Sequence, residues 1–282
     1  MSLSGKSLLA GVVGRPIAHS LSPVLHNAWI AEAGLDAVYV PFNIASERFP
    51  GFIASLRGGS VRGLNVTLPF KGEALACADQ ASLWAQQADA ANVLVFRENG
   101  EIHADNTDGE GLLGAFRRQA PGFDPAAGPA VILGAGGAAR GAVQAFKAAG
   151  APEILVLNRT LAKAQAIAKD LGPGVRALGL DAARSVFGQA NAVINTTSAE
   201  LDGAAALRLP LDTTASATVV MDMVYKPLVT PFLAAAHALG RRTVDGLEML
   251  IAQAIPSFEA FYGQPPPAGL DVRALAVRHL ES

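Results

Sequence analysis

The sequence predicts an α/β protein of two domains, and three observations carry that prediction. Short apolar or β-branched runs alternate with Ala- and Leu-rich stretches along the whole chain, the pattern of β-α units around a mostly parallel sheet. The length of 282 residues corresponds to two domains at about 150 residues each. A turn-rich segment, Ala120-Pro121-Gly122-Phe123-Asp124-Pro125-Ala126-Ala127-Gly128-Pro129, cannot continue a helix and separates two halves. Hydrophobic residues make up 51% and charged residues 16%, enough apolar surface for real cores, which excludes a largely disordered chain.

In the first half, Leu8 to Val13, Ala37 to Phe42 and Val61 to Val66 read as strands, each followed by a helical stretch. The run from Leu8 is short and stops at Arg15, so it reads as a strand and not as a targeting segment. Ser22 before Pro23 predicts a helix from Pro23 to Ala33, with Ser22 as N-cap and Gly34 marking the end. Ala91 to Phe96 and Glu101 to Ala104 flank Glu98-Asn99-Gly100, whose Asn-Gly pair predicts a hairpin at an antiparallel edge. Beyond the divider, Ala130 to Leu133, Ile154 to Leu157, Ala192 to Ile194 and Thr218 to Met221 are strand-like runs, expected to form a doubly wound, Rossmann-type nucleotide-binding domain. Leu247 to Phe261 reads as an amphipathic helix broken or bent at Pro256. The expected domains span residues 1–109 and 110–246, with a C-terminal helix over 247–282 packing back on the first.

Charge and cysteine content exclude several classes of function. With 22 Lys plus Arg against 24 Asp plus Glu, the net charge is −2, and no basic face for nucleic acid is expected. Cys77 is alone, so it forms neither an internal disulfide nor a multi-thiolate zinc site, and a reducing, cytoplasmic compartment is expected. No uncharged stretch reaches the about 18 apolar residues of a membrane helix. His19, His26, His103, His237 and His279 show no ligand spacing with Cys77, so no metal is expected.

Gly134-Ala135-Gly136-Gly137-Ala138-Ala139 follows a predicted strand and opens a helical stretch, fitting G-x-G-x-x-A. Gly134 allows the tight turn, Gly136 the approach of backbone to a pyrophosphate, and Ala139 close helix–strand packing. The free N–H groups at the helix start face the phosphates. A glycine cluster alone is usually an ordinary turn, and the flanking strand and helix raise it above that. The next strand ends Asn158-Arg159-Thr160, with Lys163 one turn on and no acidic residue at that position. Arg159 and Lys163 suit a ribose 2′-phosphate, which predicts NADP(H) over NAD; the bland alternative is a solvated basic loop.

Four polar clusters stand at predicted strand ends, where ligand sites of open α/β sheets gather. Ser20 and Ser22 surround a helix start, which favours an anion such as a carboxylate, although capping alone explains Ser22. Asn65, Thr67 and Lys71 follow a strand, where a lone lysine is usually a surface charge. Asn92 is an amide among apolar strand neighbours and needs a partner if buried. Asp108, in Asn106-Thr107-Asp108-Gly109, is by itself an acid at a helix N-terminus. Each cluster alone has a structural explanation.

Six motifs in order change that reading: Ser20-x-Ser22-Pro23, Gly63-x-Asn65-Val66-Thr67-x-Pro69-Phe70-Lys71, Asn106-Thr107-Asp108-Gly109, the Gly134 to Arg140 loop, Asn158-Arg159-Thr160 and Asp245-Gly246-Leu247-x-Met249-Leu250. From about residue 8 to residue 265 the sequence resembles the shikimate dehydrogenase family. The resemblance implies NADP-linked interconversion of 3-dehydroshikimate and shikimate in a cleft between a substrate domain and a nucleotide domain, by a monomer or homodimer. By matching position, Ser20 and Ser22 bind the substrate carboxylate, Thr67, Asn92 and Asp108 bind ring hydroxyls, and Lys71 and Asp108 form the catalytic pair. Tyr225 and Gln253 match further substrate contacts, and the backbone of Gly246 is expected beside the nicotinamide. Without the resemblance, Tyr225 reads as a core tyrosine and Gln253 as a surface amide.

The residue types suit the chemistry. Reduction of a ketone leaves a developing alkoxide, which Lys71 can both protonate and stabilise, and a carboxylate such as Asp108 favours the charged ammonium. Three positions depart from the family pattern: Val93 stands for threonine, Ala199-Glu200-Leu201-Asp202-Gly203 follows Ser198 in place of an immediate glycine, and Glu248 stands for glycine. Quinate, an amino analogue of shikimate or a related ring acid is therefore an alternative substrate. A nucleotide-binding sensor without turnover is a second alternative, against which the intact Lys71 and Asp108 argue.

Overall fold

Runs of Val, Leu and Ile too apolar for a solvated face build both sheets. The computed structural model describes residues 3–197 and 209–281; the departure after Ser198 lies outside them. The chain divides into two units, Met1–Thr107 with Gln253–Ser282, and Asp108–Ala252.

The first unit contains β1 (Leu8–Gly14), α1 (Ser22–Glu32), β2 (Ala37–Asn43), α2 (Phe49–Ser55), β3 (Val61–Val66), α3 (Lys71–Ala76), β4 (Gln80–Ala81), α4 (Leu83–Ala88), β5 (Val93–Phe96) and β6 (Ile102–Asp105). They form one sheet in the order β2-β1-β3-β5-β6-β4. β1 runs parallel to β2 and β3, while β5 is antiparallel to both β3 and β6. The predicted hairpin is therefore present. This register brings the C-terminal ends of β1, β3 and β6 and the N-terminal end of β5 to one edge, with Asn65 opposite Val93 and Val93 opposite Asp105.

The second unit contains α5 (Asp108–Gln119), β7 (Ala130–Leu133), α6 (Gly137–Ala148), β8 (Ile154–Asn158), α7 (Leu161–Leu171), β9 (Val175–Gly179), α8 (Ala183–Val186), β10 (Ala192–Asn195), β11 (Val219–Asp222), α9 (Pro231–Ala238) and β12 (Arg242–Val244). Its six strands are parallel in the order β12-β11-β10-β7-β8-β9. This is the doubly wound dinucleotide-binding order, whose switch point lies between β7 and β10. Phe116, Val143 and Phe146 cover one face and Phe187, Phe232 and Leu233 the other, so the strands are apolar throughout. The chain ends in α10 (Gly246–Tyr262), shared between the units, and α11 (Val272–Glu281), which packs on α1. Among the described residues no helix is long and apolar enough to cross a membrane.

Several expectations need correction. Ser22 is not an N-cap: α1 begins at Ser22 itself, no side chain caps it, and the Ser20 hydroxyl accepts the Ser22 N–H at 3.3 Å. The reason is burial, because the Ser22 hydroxyl is turned inward to a hydrogen bond with Tyr39. Asn92 stands just ahead of β5 and not within it, although its backbone still pairs on both sides, its carbonyl accepting the Val66 N–H at 2.8 Å and its N–H donating to the Asp105 carbonyl at 3.0 Å. Residues 247–282 are two helices and not one: Gly263 takes a φ of 74° and three prolines follow. Pro256, by contrast, is accommodated inside α10. Asp108 belongs to the second unit because it opens α5, which packs along α6. The pattern also missed β9 and β12. These edge strands carry Arg176 and Arg242, as edges do.

A histidine sits in the first unit's core. His26 has no exposed surface, stacks on Tyr39 with ring centroids 4.0 Å apart, and meets Trp29 and Phe258 at 5.6 and 5.9 Å. Burial alone pushes its pKa from 6.5 down to about 3. Between these values the unfolded chain binds a proton that the folded chain refuses. Stability is thus lost as pH falls through this window, by about 1.4 kcal/mol per pH unit from this group. Urea unfolding at several pH values between 3 and 6.5 should show a slope shallower by about one proton in His26→Leu than in the wild type. Identical slopes would mean that the folded protein carries this imidazole charged.

Candidate active site

At the shared edge of the first sheet, the β1–α1 connection and the turn after β3 are packed together. The Arg15 N–H donates to the Leu68 carbonyl at 3.0 Å and the Thr67 N–H to Val13 at 3.0 Å. Gly14 has to lack a side chain, because a Cβ there would strike the Thr67 methyl. Thr67 is half-buried, and Ser20 and Ser22 stand at the start of α1. Lys71 is the half-buried first residue of α3, and its carbonyl accepts the Ala91 N–H at 2.8 Å. The turn that carries the lysine is thereby tied to the residue preceding Asn92.

Asn92 is 3% exposed and fully engaged. Its Oδ1 accepts the Thr107 N–H at 2.8 Å, which fixes the amide so that Nδ2 donates to Thr107 Oγ1 and to Gln253 Oε1, both at 3.1 Å. Thr107 Oγ1 also donates to the Gln253 carbonyl at 3.2 Å. A second chain of bonds supports this one. Tyr39 donates to Asn65 Oδ1 at 2.8 Å, and Asn65 Nδ2 donates to Ser257 Oγ at 2.9 Å and to the Asn92 carbonyl at 3.3 Å. Ser20, Ser22, Thr67, Lys71, Asn92 and Gln253 thus belong to one unit, and all but Gln253, which α10 supplies, stand at one sheet edge. Tyr39 and Ser257 escaped the sequence reading. Ser257 was findable, lying one turn beyond Gln253 on an apolar helix and donating to its carbonyl at 3.2 Å.

The other expected residues lie in the second unit. Asp108 is half-buried beside Gly141 of α6. Gly134 leaves β7 with a φ of 111°, and a Cβ there would meet Thr196 Oγ1 at 2.6 Å and Thr197 Cγ2 at 3.0 Å. Only glycine turns this corner. Gly136 precedes α6 without a side-chain cap, and a Cβ at Gly136 or Gly137 would face open space. Together with Ala135 and Ala138, these residues present the unpaired first-turn N–H groups of α6 beside the switch point, an arrangement that fits a pyrophosphate. Ala139 is fully buried, as close packing of α6 on β7 requires.

Asn158 ends β8 and its Nδ2 donates to the Thr160 carbonyl at 2.9 Å, fixing the turn around Arg159. Arg159 and Lys163 are exposed, and among the described residues neither forms a salt bridge. Arg140, by contrast, is taken up by Asp170 at 2.7 Å. One carboxylate went unweighed in the sequence: Asp181 folds over Gly179, the strand partner of Asn158. Two cations against this one acid still fit a 2′-phosphate. Tyr225 is half-buried after β11, and Gly246 packs on the backbone of Met223 and Val224, where a Cβ would clash. Glu248 is buried with its carboxylate toward Arg118, at 3.9 Å.

Known proteins resemble this chain in sequence and in fold. Residues 12–94 match the family described as shikimate dehydrogenase substrate binding domain, and residues 123–223 match shikimate / quinate 5-dehydrogenase. A Caulobacter vibrioides protein named shikimate dehydrogenase (NADP(+)) is 60% identical over 99% of this chain and 98% of its own, and one from Dinoroseobacter shibae is 44% identical over 95% and 97%. Among solved structures, Thermus thermophilus shikimate 5-dehydrogenase in complex with NADP(H) and shikimate is 35% identical, with a TM-score of 0.84 over 97% of this chain and 99% of that one. Corynebacterium glutamicum quinate dehydrogenase in complex with NAD is 26% identical, with a TM-score of 0.86 over 98% and 97%. With both halves matched and near-complete coverage at high identity, the chain belongs to the shikimate dehydrogenase family.

Proposed function

We infer that this protein interconverts 3-dehydroshikimate and shikimate with NADP(H). The observation that carries this reading is the full-length likeness to an enzyme holding NADP(H) and shikimate, joined to the polar side chains gathered at the strand ends here. Gly134, Ala135, Gly136, Gly137 and Ala138 would hold the pyrophosphate through backbone N–H groups. Asn158, Arg159, Thr160 and Lys163 would hold the adenosine 2′-phosphate, and the Gly246 backbone would serve the nicotinamide end. The cofactor, when bound, supplies or accepts the hydride.

The chain's own residues do the rest. Ser20 receives the ring carboxylate at the start of α1, where helix N–H groups add positive potential, and Ser22 joins it by turning its hydroxyl from Tyr39. Thr67, Asn92, Tyr225 and Gln253 orient the ring through its hydroxyls. The Thr107 N–H pins the Asn92 amide so that Nδ2 keeps a fixed direction, and a ring hydroxyl takes the place of one of its two acceptors, Thr107 Oγ1 or Gln253 Oε1. Lys71 Nζ gives a proton to the oxygen that becomes the hydroxyl, and in the oxidative direction takes it back. Asp108 orients a substrate hydroxyl.

Three measurements check these roles. Wild-type kcat/KM should be higher with NADP than with NAD, and Arg159→Ala should lower the NADP value by roughly tenfold or more, the loss of a charge-assisted bond, while NAD changes little. Preference of the wild type for NAD would overturn the 2′-phosphate assignment. Changing Ser20 and Ser22 together to Ala should raise KM for shikimate with cofactor affinity nearly unchanged, and an unaltered KM would remove the serines from the site. Lys71→Ala should lower kcat by roughly 10² to 10⁴ with a smaller effect on ground-state binding. A wild-type kcat in that variant at several pH values would leave Lys71 a surface charge.

A further inference from the structure

The second unit buries an acid that none of these roles uses. Asp222 closes β11 and has no exposed surface, although the three residues before it in the strand, Val219, Val220 and Met221, are apolar. Its carboxylate accepts hydrogen bonds from three separate segments. Oδ1 receives Asn195 Nδ2 from the end of β10 at 3.1 Å and the Val224 N–H at 3.0 Å, and Oδ2 receives Thr230 Oγ1 at 2.7 Å. An ionised carboxylate accepts only, and in the interior it is tolerated when such donors satisfy it.

Two of these bonds reach residues of the nucleotide site. With Nδ2 committed to Asp222, the Asn195 amide can turn only one way, and its Oδ1 accepts both the N–H and the hydroxyl of Thr197, at 3.1 and 2.8 Å. Thr196 and Thr197 are the wall against which Gly134 turns, and Thr196 Oγ1 donates to the Leu133 carbonyl at 2.7 Å. The Val224 bond fixes the turn on which Gly246 packs and which leads to Tyr225. The third bond goes elsewhere: Thr230 caps α9, its hydroxyl accepting the Leu233 N–H at 3.3 Å.

We propose that Asp222 is a positioning residue that sets both loops at the cofactor edge, one through Asn195 and Thr197 beside Gly134, the other through Val224 beside Gly246. The inference rests on the NADP(H) reading and deepens it. A merely structural acid would couple all three partners to stability alone, whereas a positioning acid makes them differ. The test is NADPH affinity, read from reduced-nicotinamide fluorescence, set beside Tm. Asn195→Ala should raise the NADPH Kd by about tenfold, because it frees Thr197 and leaves Asp222 short of a donor. Asp222→Asn, the same size with a donor in place of an acceptor, should raise it at least as much. Thr230→Val should lower Tm yet keep Kd within about twofold, since both loop bonds remain. Should Asp222→Asn fail to fold, the contrast between the other two variants decides. A wild-type Kd in Asn195→Ala, or equal weakening in Thr230→Val, would reduce Asp222 to a fold-holding residue. Failure of the wild-type protein to bind NADPH would instead overturn the cofactor reading, and this inference with it.

Discussion

A parallel strand covered on both faces has nowhere to put a polar side chain except at its ends. Both units obey that constraint. In the second, β7, β8, β10 and β11 are apolar along their lengths, and Gly134, Asn158, Asn195 and Asp222 occur where they stop. In the first, Thr67, Asn92 and Thr107 collect at one edge because β5 runs antiparallel to both of its neighbours, β3 and β6. Functional polarity is concentrated by topology before any side chain is chosen.

Concentration alone would leave polar groups competing for partners, and hydrogen bonding resolves the competition by fixing amide orientation. Asn92 and Asn195 are held in the same way: one end of each amide is committed to a fixed partner, Thr107 N–H or the Asp222 carboxylate, so the other end has a defined direction. A hydroxyl could rotate to suit either partner, whereas an amide cannot exchange donor for acceptor without turning over. That asymmetry is why asparagine suits both positions. The surrounding core tolerates less: His26, stacked on Tyr39 in the same unit, stays uncharged because among the described residues neither ring nitrogen has a hydrogen-bond partner to offset its burial.

Legibility in the sequence followed the same division. Internal strands were readable because burial on both faces makes them uniformly apolar, while β9 and β12, with one side unpaired, carry arginines that break the pattern. The glycine loop was readable because the positive φ of Gly134 and the threonines against it leave few residue choices at the turn. Ser22 was misread because a Ser-Pro pair signals a cap, whereas its hydroxyl is drawn to Tyr39 by a contact 17 positions away that no local pattern contains. The supporting residues Tyr39, Asn195 and Asp222 were invisible for the same reason, whereas Ser257 was marked by its place one turn beyond Gln253. The first three are ordinary residues whose meaning lies in long-range pairing.

The start of α10 shows how such pairing can serve a backbone group. A reciprocal pair joins Gln119 to Asp245: Gln119 Nε2 donates to Asp245 Oδ2 and Gln119 Oε1 accepts the Asp245 N–H, both at 2.8 Å. Asp245 Oδ1 meanwhile accepts the Glu248 N–H at 2.9 Å, acting as the N-terminal cap of α10. Gly246 is therefore held on one side by a capped helix anchored to α5, and on the other by the Met223–Val224 backbone that a Cβ would strike. A side chain at this position would need the backbone to move away, and the tether to α5 resists that movement. A position whose part is played by main-chain atoms has no rotamer of its own to adjust, so its placement depends entirely on the residues that hold its neighbours.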